Sequence, residues 1–226
     1  MSKKIPENNK KMRKGLTNSI DSIIESVSQM ESVKPYLLVG GTALAMQIVH
    51  RKSEDLDFMM WRKSKSELPE IEWPKIEHEL NEKIGKVERI NILSFHQVEF
   101  VVKDVKFSFY VSNNYCPVSE PINYLGNIYL ADINSILGMK IEVLTRRAKF
   151  RDYYDIYSIL KEGYELGKGI ETALKYQQHR LKTKNLIMML LSNRSLSDEN
   201  FEQLEPKYKV SKEEIRQYIL KKLPRF

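Results

Sequence analysis

The sequence predicts an α/β (α+β) chain, in which a mixed β-sheet domain with helices precedes a C-terminal helical bundle. Short apolar runs, several with alternating polar residues, occupy much of the first 130 positions, and a helical segment separates the first run from the second. This order of strand, helix and strand is typical of α/β domains. From residue 131 onward the apolar residues recur at spacings of three and four, which favours packed helices.

Length and composition place the chain among globular proteins. It has 226 residues, of which 42% are hydrophobic and 30% charged, enough for one or two domains with their own cores. No apolar run approaches the roughly 20 residues of a membrane helix, and no apolar segment follows the N-terminal lysines as in a secretory signal. Cys116 is the only cysteine. We therefore expect a cytoplasmic protein without membrane contact.

The charge is distributed unevenly over the predicted domains. Residues 1–14, a predicted flexible basic tail, carry six basic groups and one acid, and residues 131–226, the predicted helical domain, carry 19 basic and 13 acidic groups. Out of a total of +7, this leaves −4 on residues 15–130, the predicted sheet domain. Basic flanks suit a polyanionic partner and an acidic middle suits a metal site, although lysine-rich helices are also ordinary solvated surfaces.

The first strand is followed by a pair of glycines. Residues 36–39 are an apolar run that predicts a short buried strand. Gly40 and Gly41 end this run, and Thr42 stands where it can cap a helix over residues 43–50. Glycines let the backbone approach a phosphate closely, and the N-terminus of the helix offers unpaired N–H groups and a positive dipole. The turn therefore predicts a phosphate-binding site.

The next apolar run carries two acids, Asp55 and Asp57, separated by Leu56 and followed by Phe58. Strand alternation puts both carboxylates on one face and the two apolar side chains on the other. Such a pair can bind Mg²⁺ or Mn²⁺, which prefer oxygen ligands, and with the glycine turn it outlines a phosphoryl-transfer site for a nucleoside triphosphate. Either motif alone is more often a turn or a solvated strand face.

These motifs resemble a known family. Gly40-Gly41-Thr42, twelve further residues and then Asp55-Leu56-Asp57 resemble the signature of the polymerase-beta nucleotidyltransferase superfamily, and residues 39–45 with 50–58 resemble the AbiEii/AbiGii abortive-infection toxins. The resemblance implies a nucleotidyltransferase-type domain that moves a nucleoside monophosphate from an NTP to an acceptor hydroxyl with Mg²⁺ or Mn²⁺. It also implies a toxin of a toxin–antitoxin or abortive-infection system, with tRNA or another RNA as acceptor and a cognate antitoxin.

A second stretch matches the downstream part of the same family. There the resemblance assigns a helix lysine to Lys140 and an Arg-Asp-x-x-Asp motif to Arg151, Asp152 and Asp155. It implies that Lys140 neutralises triphosphate charge. One aspartate would complete the metal site or accept the proton of the acceptor, and the other would orient the lysine. The alternative is a structural pair between Arg151 and Asp155, which are four residues apart on a helix.

One position departs from the superfamily pattern. A third carboxylate usually lies on a strand beside the Asp-x-Asp pair, and here the fitting position is Ser108, in a run whose Phe107 and Phe109 point to the core. Glu99 on the preceding run is a possible substitute. This departure leaves open that the domain binds nucleotides without turning them over.

Basic residues surround the downstream motif. Arg146, Arg147, Lys149 and Arg151 lie near several tyrosines, an arrangement that binds phosphates and stacks bases in nucleic-acid-binding proteins. Core packing is the preferred interpretation of Tyr154 and Tyr157. The acceptor is therefore left open between RNA and a small molecule or a protein hydroxyl, beside the non-catalytic alternative of a nucleotide- or nucleic-acid-binding module.

Overall fold

The computed structural model describes residues 7–62, 64, 66, 69–112, 120–147, 149–176, 181–192 and 198–223. Cys116 and residues 1–6 of the predicted tail lie outside them. The chain divides into two compact units, residues 1–132 and 133–226. The first unit contains strands and helices: α1 (Glu7–Arg13), α2 (Asn18–Ser28), β1 (Leu37–Val39), α3 (Gly40–Ile48), β2 (Asp55–Trp61), α4 (Trp73–Lys83), β3 (Arg89–Ser94), β4 (Gln97–Val102), β5 (Val105–Ser112), β6 (Ile122–Leu125) and β7 (Ile128–Leu130).

The strands form one mixed seven-stranded sheet in the order β3-β4-β5-β2-β1-β7-β6. Strand β2 pairs in parallel with β5 and antiparallel with β1, and β1 pairs in parallel with β7. The hairpins β3–β4, β4–β5 and β6–β7 are antiparallel. The predicted mixed α/β class is thus confirmed, and the two strands that carry the motifs lie next to each other at the centre of the sheet.

One face of the sheet carries an aromatic core. Phe58 on β2 stacks against Phe109 on β5 with ring centroids 5.0 Å apart, and Tyr36 and Phe100 meet Phe109 edge-on. Leu56 and Phe58 are fully or almost fully buried, and burying such a side chain stabilises the fold by about 1.5–3 kcal/mol. Alternation along β2 and β5 then directs Asp55, Asp57 and Ser108 to the opposite face.

The N-terminal segment differs from the predicted flexible tail. Residues Glu7–Arg13 form α1, and Arg13 pairs with Asp21 and Glu25 on α2. The backbone then runs beside Ser53, whose N–H donates to the carbonyl oxygen of Gly15 at 3.0 Å. The prediction was wrong for this part because the local sequence lacks an apolar pattern, while the stabilising ion pairs and backbone contacts come from residues farther along the chain.

Strand β6 forms although Pro121 precedes it and Gly126 follows it, residues that are typical of loops, and its pairing with β7 explains why so short a segment is extended. The start of α3 differs from the prediction. Helix α3 begins at Gly40 rather than at residue 43, with Val39 in the N-cap position. Thr42 therefore lies inside the helix, and the predicted capping role is wrong.

The described residues of the second unit form helices. They are α5 (Ile133–Val143), α6 (Phe150–Lys161), α7 (Leu166–Tyr176), α8 (Thr183–Leu190) and α9 (Lys212–Lys222), with a short 3-10 helix at Phe201–Leu204. Tyr154 is completely buried and Tyr157 nearly so, which confirms the core interpretation of these two tyrosines. In neither unit does a described helix have the length and hydropathy needed to cross a membrane.

Candidate active site

The turn between β1 and α3 lies directly against one of the two predicted metal ligands. Val39 pairs with Asp57 across the antiparallel ladder of β1 and β2, so the chain reaches Gly40 beside that carboxylate. Gly40 has φ +69°, and a Cβ atom at this position would lie 2.8 Å from Oδ2 of Asp57. Glycine is needed here both for the left-handed backbone and for the space next to the carboxylate.

The start of α3 is tied to the start of β2. Thr42 donates a hydrogen bond to the backbone oxygen of Asp55, and its Oγ1 lies 2.8 Å from Oγ of Ser53. A Cβ atom on Gly41 would lie 2.5 Å from Nη2 of Arg51, a buried side chain. These contacts hold the glycine turn and the Asp-x-Asp strand in one rigid arrangement, so Gly40, Gly41 and Thr42 are brought to the two acids.

The register of the sheet defines what surrounds the acids. On β5, Lys106 pairs with Asp55 and Ser108 pairs with Asp57. Glu99 on β4 is the next neighbour of Ser108 in the same row. Ser108 therefore does occupy the position beside Asp57, as predicted, and its buried hydroxyl supplies no negative charge there. Glu99 lies two strands away from Asp57, about 9.5 Å at the usual strand spacing.

The predicted lysine and aspartates of the second unit form a cluster of their own. Lys140 on α5 places Nζ 2.6 Å from Oδ2 of Asp155 and 3.1 Å from Oδ1 of Asp152 on α6. Both aspartates are completely buried, and the lysine side chain is only 8% exposed. Arg147 adds a longer ion pair, with Nε 3.5 Å from Oδ2 of Asp152. The three motif residues thus meet, as a buried ionic cluster.

Arg151 has a partner, Asp198, that was not weighed in the sequence. Its guanidinium binds Asp198 with distances of 2.7 and 2.8 Å, and its backbone N–H also donates to this carboxylate. Burial alone would raise the pKa of Asp198, but the hydrogen bonds and charge of Arg151 outweigh it and bring that pKa below its ordinary value. Much of the Arg151 guanidinium is thus turned to Asp198 rather than to solvent, and the pair between Arg151 and Asp155 stays an alternative from the sequence.

The other predicted nucleic-acid-binding residues remain at the surface. Arg146 is 68% exposed and pairs with Glu142 one helical turn earlier, Arg147 is 55% exposed, and Lys149 is exposed as well. Three positive side chains thus lie close together in sequence around the start of α6. Their part in binding RNA stays a prediction.

Four residues of the site were not assigned from sequence. Lys106 contacts Asp55 across the strands with Nζ 3.6 Å from Oδ2, and the alternation of β5 predicted its face without its partner. Arg51 and Ser53 stand in the string that carries the family resemblance, which was a usable signal for their role in supporting the glycine turn. Asp198, which fixes Arg151, had no such signal because it lies 47 residues farther along the chain.

Comparison with known proteins indicates the family of the chain. Residues 23–222 match the family described as "Nucleotidyl transferase AbiEii toxin, Type IV TA system". An uncharacterized protein of Aquifex aeolicus (strain VF5) is 26% identical over 208 residues, which cover 90% of this chain and 93% of the relative.

Two solved structures share the fold at low sequence identity. The nucleotidyltransferase toxin MenT4 of Mycobacterium tuberculosis H37Rv superposes with a TM-score of 0.53 and 16% identity, covering 95% of this chain and 86% of that one. JHP933 from Helicobacter pylori gives 0.50 and 18%, covering 95% and 90%. Because the family match takes in most of the sequence and both of its motif regions, the chain belongs to the AbiEii family of toxin nucleotidyltransferases of type IV toxin–antitoxin systems.

Proposed function

We propose that this nucleotidyltransferase moves a nucleoside monophosphate from an NTP to a hydroxyl of RNA, with tRNA as the preferred class, and that the transfer depends on Mg²⁺ or Mn²⁺. The observation that carries the proposal is the placement of Gly40 directly against the Asp57 carboxylate, with Asp55 on the same face of β2. A phosphate-binding turn and two acidic metal ligands are thereby neighbours within one unit.

The residues present fit a divalent cation. Asp55 and Asp57 are half-exposed on one face of β2, and the missing side chain of Gly40 leaves room beside Oδ2 of Asp57. Within the described part of the chain, no group of three or more His, Cys, Asp or Glu residues is arranged to hold a metal ion. Mg²⁺ is commonly bound through one or two carboxylates together with water and substrate phosphates, so this pair suffices. When bound, the cation would neutralise phosphate charge.

The helix start provides the complementary contact to the phosphates. Helix α3 has nine residues, and the first N–H groups of a helix have no partner within it. The backbone N–H groups around Gly41 and Thr42 would donate to phosphate oxygens, helped by the positive end of the helix dipole. The Thr42 side chain, which bonds to Ser53 and to the backbone of Asp55, would hold this turn in place.

The reaction follows from this placement. The acceptor hydroxyl oxygen attacks the α-phosphorus, a new P–O bond forms, the bond between the α-phosphorus and the oxygen bridging to the β-phosphate breaks, and pyrophosphate leaves. The hydroxyl proton passes to a carboxylate acting as general base. A direct role of Lys140, Asp152 or Asp155 in these steps remains the sequence-based prediction, beside the structural role that their burial supports.

The choice of RNA as acceptor is supported by charge. Residues 131–226 carry six more basic than acidic groups, and Arg146, Arg147 and Lys149 are exposed. A small molecule or a protein hydroxyl is the alternative acceptor for the same chemistry. The family description also implies a cognate antitoxin, which we propose as the partner that relieves the toxic activity.

The test is a transfer assay with a matched pair of variants. Purified protein is incubated with each labelled NTP, with Mg²⁺ or Mn²⁺ and with total RNA, and is compared with Asp57→Asn and with Asp104→Asn, an exposed acid at the β4–β5 turn. We expect label in RNA from the wild-type protein and Asp104→Asn, and a loss of about 100-fold or more in Asp57→Asn. Label on protein or small molecules instead would overturn the RNA acceptor, and equal transfer by Asp57→Asn would overturn the metal site.

A further inference from the structure

Lys106 on β5 is a cation placed beside the proposed metal ligands. Sheet register pairs it with Asp55, and Nζ lies 3.6 Å from Oδ2 of that carboxylate, with 40% of the lysine and 36% of the aspartate side chain exposed. Charged N–H···O hydrogen bonds are usually 2.7–2.9 Å long. The distance between Lys106 and Asp55 is about 0.7 Å longer than the upper end of this range. The pair is therefore open to solvent and loosely held, so it can change partners easily.

The neighbours of this pair explain why a cation belongs there. Asp55 and Asp57 point to one face of β2, and their negative charges repel each other when no metal is bound. On the other side of Lys106 the register partner is Val101 on β4, which has no charge. Lys106 thus offsets the charge of Asp55 without a competing carboxylate in its own row.

A bound divalent cation would change this balance. The carboxylates of Asp55 and Asp57 would hold the cation, whose double charge would repel an ammonium group near the same oxygens. An NTP brings several negative charges to the same place. Lysine is a compact, strongly hydrated cation on a flexible four-carbon stem, so Lys106 can leave Asp55 and reach a phosphate oxygen without any movement of the sheet.

We infer that Lys106 is a nucleotide-binding residue that exchanges Asp55 for a nucleotide phosphate when the metal-bound nucleotide enters. This inference rests on the proposed function, because it needs Asp55 and Asp57 to hold the cation. It makes two predictions of opposite sign for removal of the lysine charge: metal alone binds more tightly, and the phosphate ligand binds more weakly. An ordinary cross-strand pair on the surface changes neither.

The experiment uses the full chain and two probes. Isothermal titration calorimetry measures Mn²⁺ binding alone, and then binding of inorganic pyrophosphate at saturating Mn²⁺, for the wild-type protein, Lys106→Met and Lys106→Arg. The control is Lys75→Met on α4, which removes an exposed lysine with its own acidic neighbour, Glu72, at 3.9 Å. Thermal unfolding confirms that each variant is folded, and Lys106→Gln replaces Lys106→Met if the latter is not.

We expect Lys106→Met to bind Mn²⁺ about threefold more tightly and pyrophosphate about tenfold more weakly. Lys106→Arg and Lys75→Met stay close to the wild-type protein in both titrations. Unchanged or weaker Mn²⁺ binding in Lys106→Met overturns the inference, and so does unchanged pyrophosphate binding. Asp57→Asn separates the two proposals: if it binds Mn²⁺ as well as the wild-type protein, the proposed metal site and the inference both fail, whereas a wild-type-like Lys106→Met alone removes only the inference.

Discussion

The Lys140 ammonium group lies between the carboxylates of Asp152 and Asp155. These are three of the residues that the family resemblance assigns in the second unit. Lys140 is nearly buried, and Asp152 and Asp155 are completely so. Removing one partner from a buried ionic cluster is costly because the charges left behind have lost both water and compensation. The same three residues therefore have a structural role whether or not they also touch a substrate.

The first prediction concerns Lys140. We expect Lys140→Met to lower the free energy of unfolding by about 3 kcal/mol, because two buried carboxylates lose their shared cation. The control is Lys168→Met, which removes an exposed lysine paired with Glu165 and is expected to change stability by less than about 0.5 kcal/mol. Urea denaturation followed by circular dichroism measures both.

Activity then separates the two roles of this lysine. A transfer assay at a temperature where Lys140→Met is fully folded reports any direct contribution to the reaction. A loss of less than about 1 kcal/mol in stability would show that the cluster is not buried as described. Normal transfer by the folded variant would leave Lys140 with its structural role alone.

At the scale of elements, the β1–α3 turn is where local backbone conformation and function coincide. Gly40 and Gly163 both have a positive φ, of +69° and +94°. A Cβ atom on Gly40 would approach Asp57, whereas one on Gly163 would have nothing within 4 Å. The two glycines thus share a left-handed backbone conformation, but only Gly40 has neighbouring atoms that a Cβ atom would meet.

The second prediction uses this contrast. Alanine at either glycine should destabilise the fold by about 1–2 kcal/mol, because a left-handed backbone is unfavourable for a residue with a Cβ atom. Only Gly40→Ala should also displace the Asp57 carboxylate, and we expect its kcat/KM for nucleotide transfer to fall about 100-fold. Gly163→Ala should retain transfer within about twofold of the wild-type protein. Equal activities in the two variants would contradict the role given to Gly40.

The same element shows what local sequence can predict. The glycine pair, the apolar run before it and the alternation around Asp55 and Asp57 are contained in a short stretch, and the pattern predicted both strands and the helix between them. The face on which Ser108 lies was also within reach, because the apolar residues of β5 alternate along the strand, and this put Ser108 on the same side as Asp57.

The contacts that could not be predicted from the sequence join residues that lie far apart in the chain. Lys106 meets Asp55 only because β2 and β5 pair in parallel, with about 50 residues between them. Arg151 meets Asp198, which lies 47 residues farther along the chain. The helix at Glu7–Arg13 is anchored through Arg13 to α2. Ion pairs of this kind carry no periodic signal, so they become visible only in the folded chain.

At the scale of the whole molecule, charge is separated along the chain. The total of +7 and the sequence pI of about 9.2 combine a charge of +5 over residues 1–14, −4 over residues 15–130 and +6 over residues 131–226. The acids concentrate where a metal–phosphate complex is proposed to bind, and the surplus of basic groups lies elsewhere. A polyanion is attracted to the basic groups of residues 131–226, and the strength of that attraction falls as the salt concentration rises.

The last prediction tests this attraction. For three phosphate contacts with single-stranded RNA, we expect affinity to fall about 20-fold between about 50 and about 200 mM salt. Arg146→Gln should weaken binding at low salt and reduce the slope of log K against log salt by about 0.7, because one phosphate contact is lost. Lys168→Gln removes another exposed, paired cation from the same unit and should leave the slope unchanged. Fluorescence anisotropy with a labelled RNA measures the three proteins, and equal slopes for all of them would mean that Arg146 does not contact the phosphates.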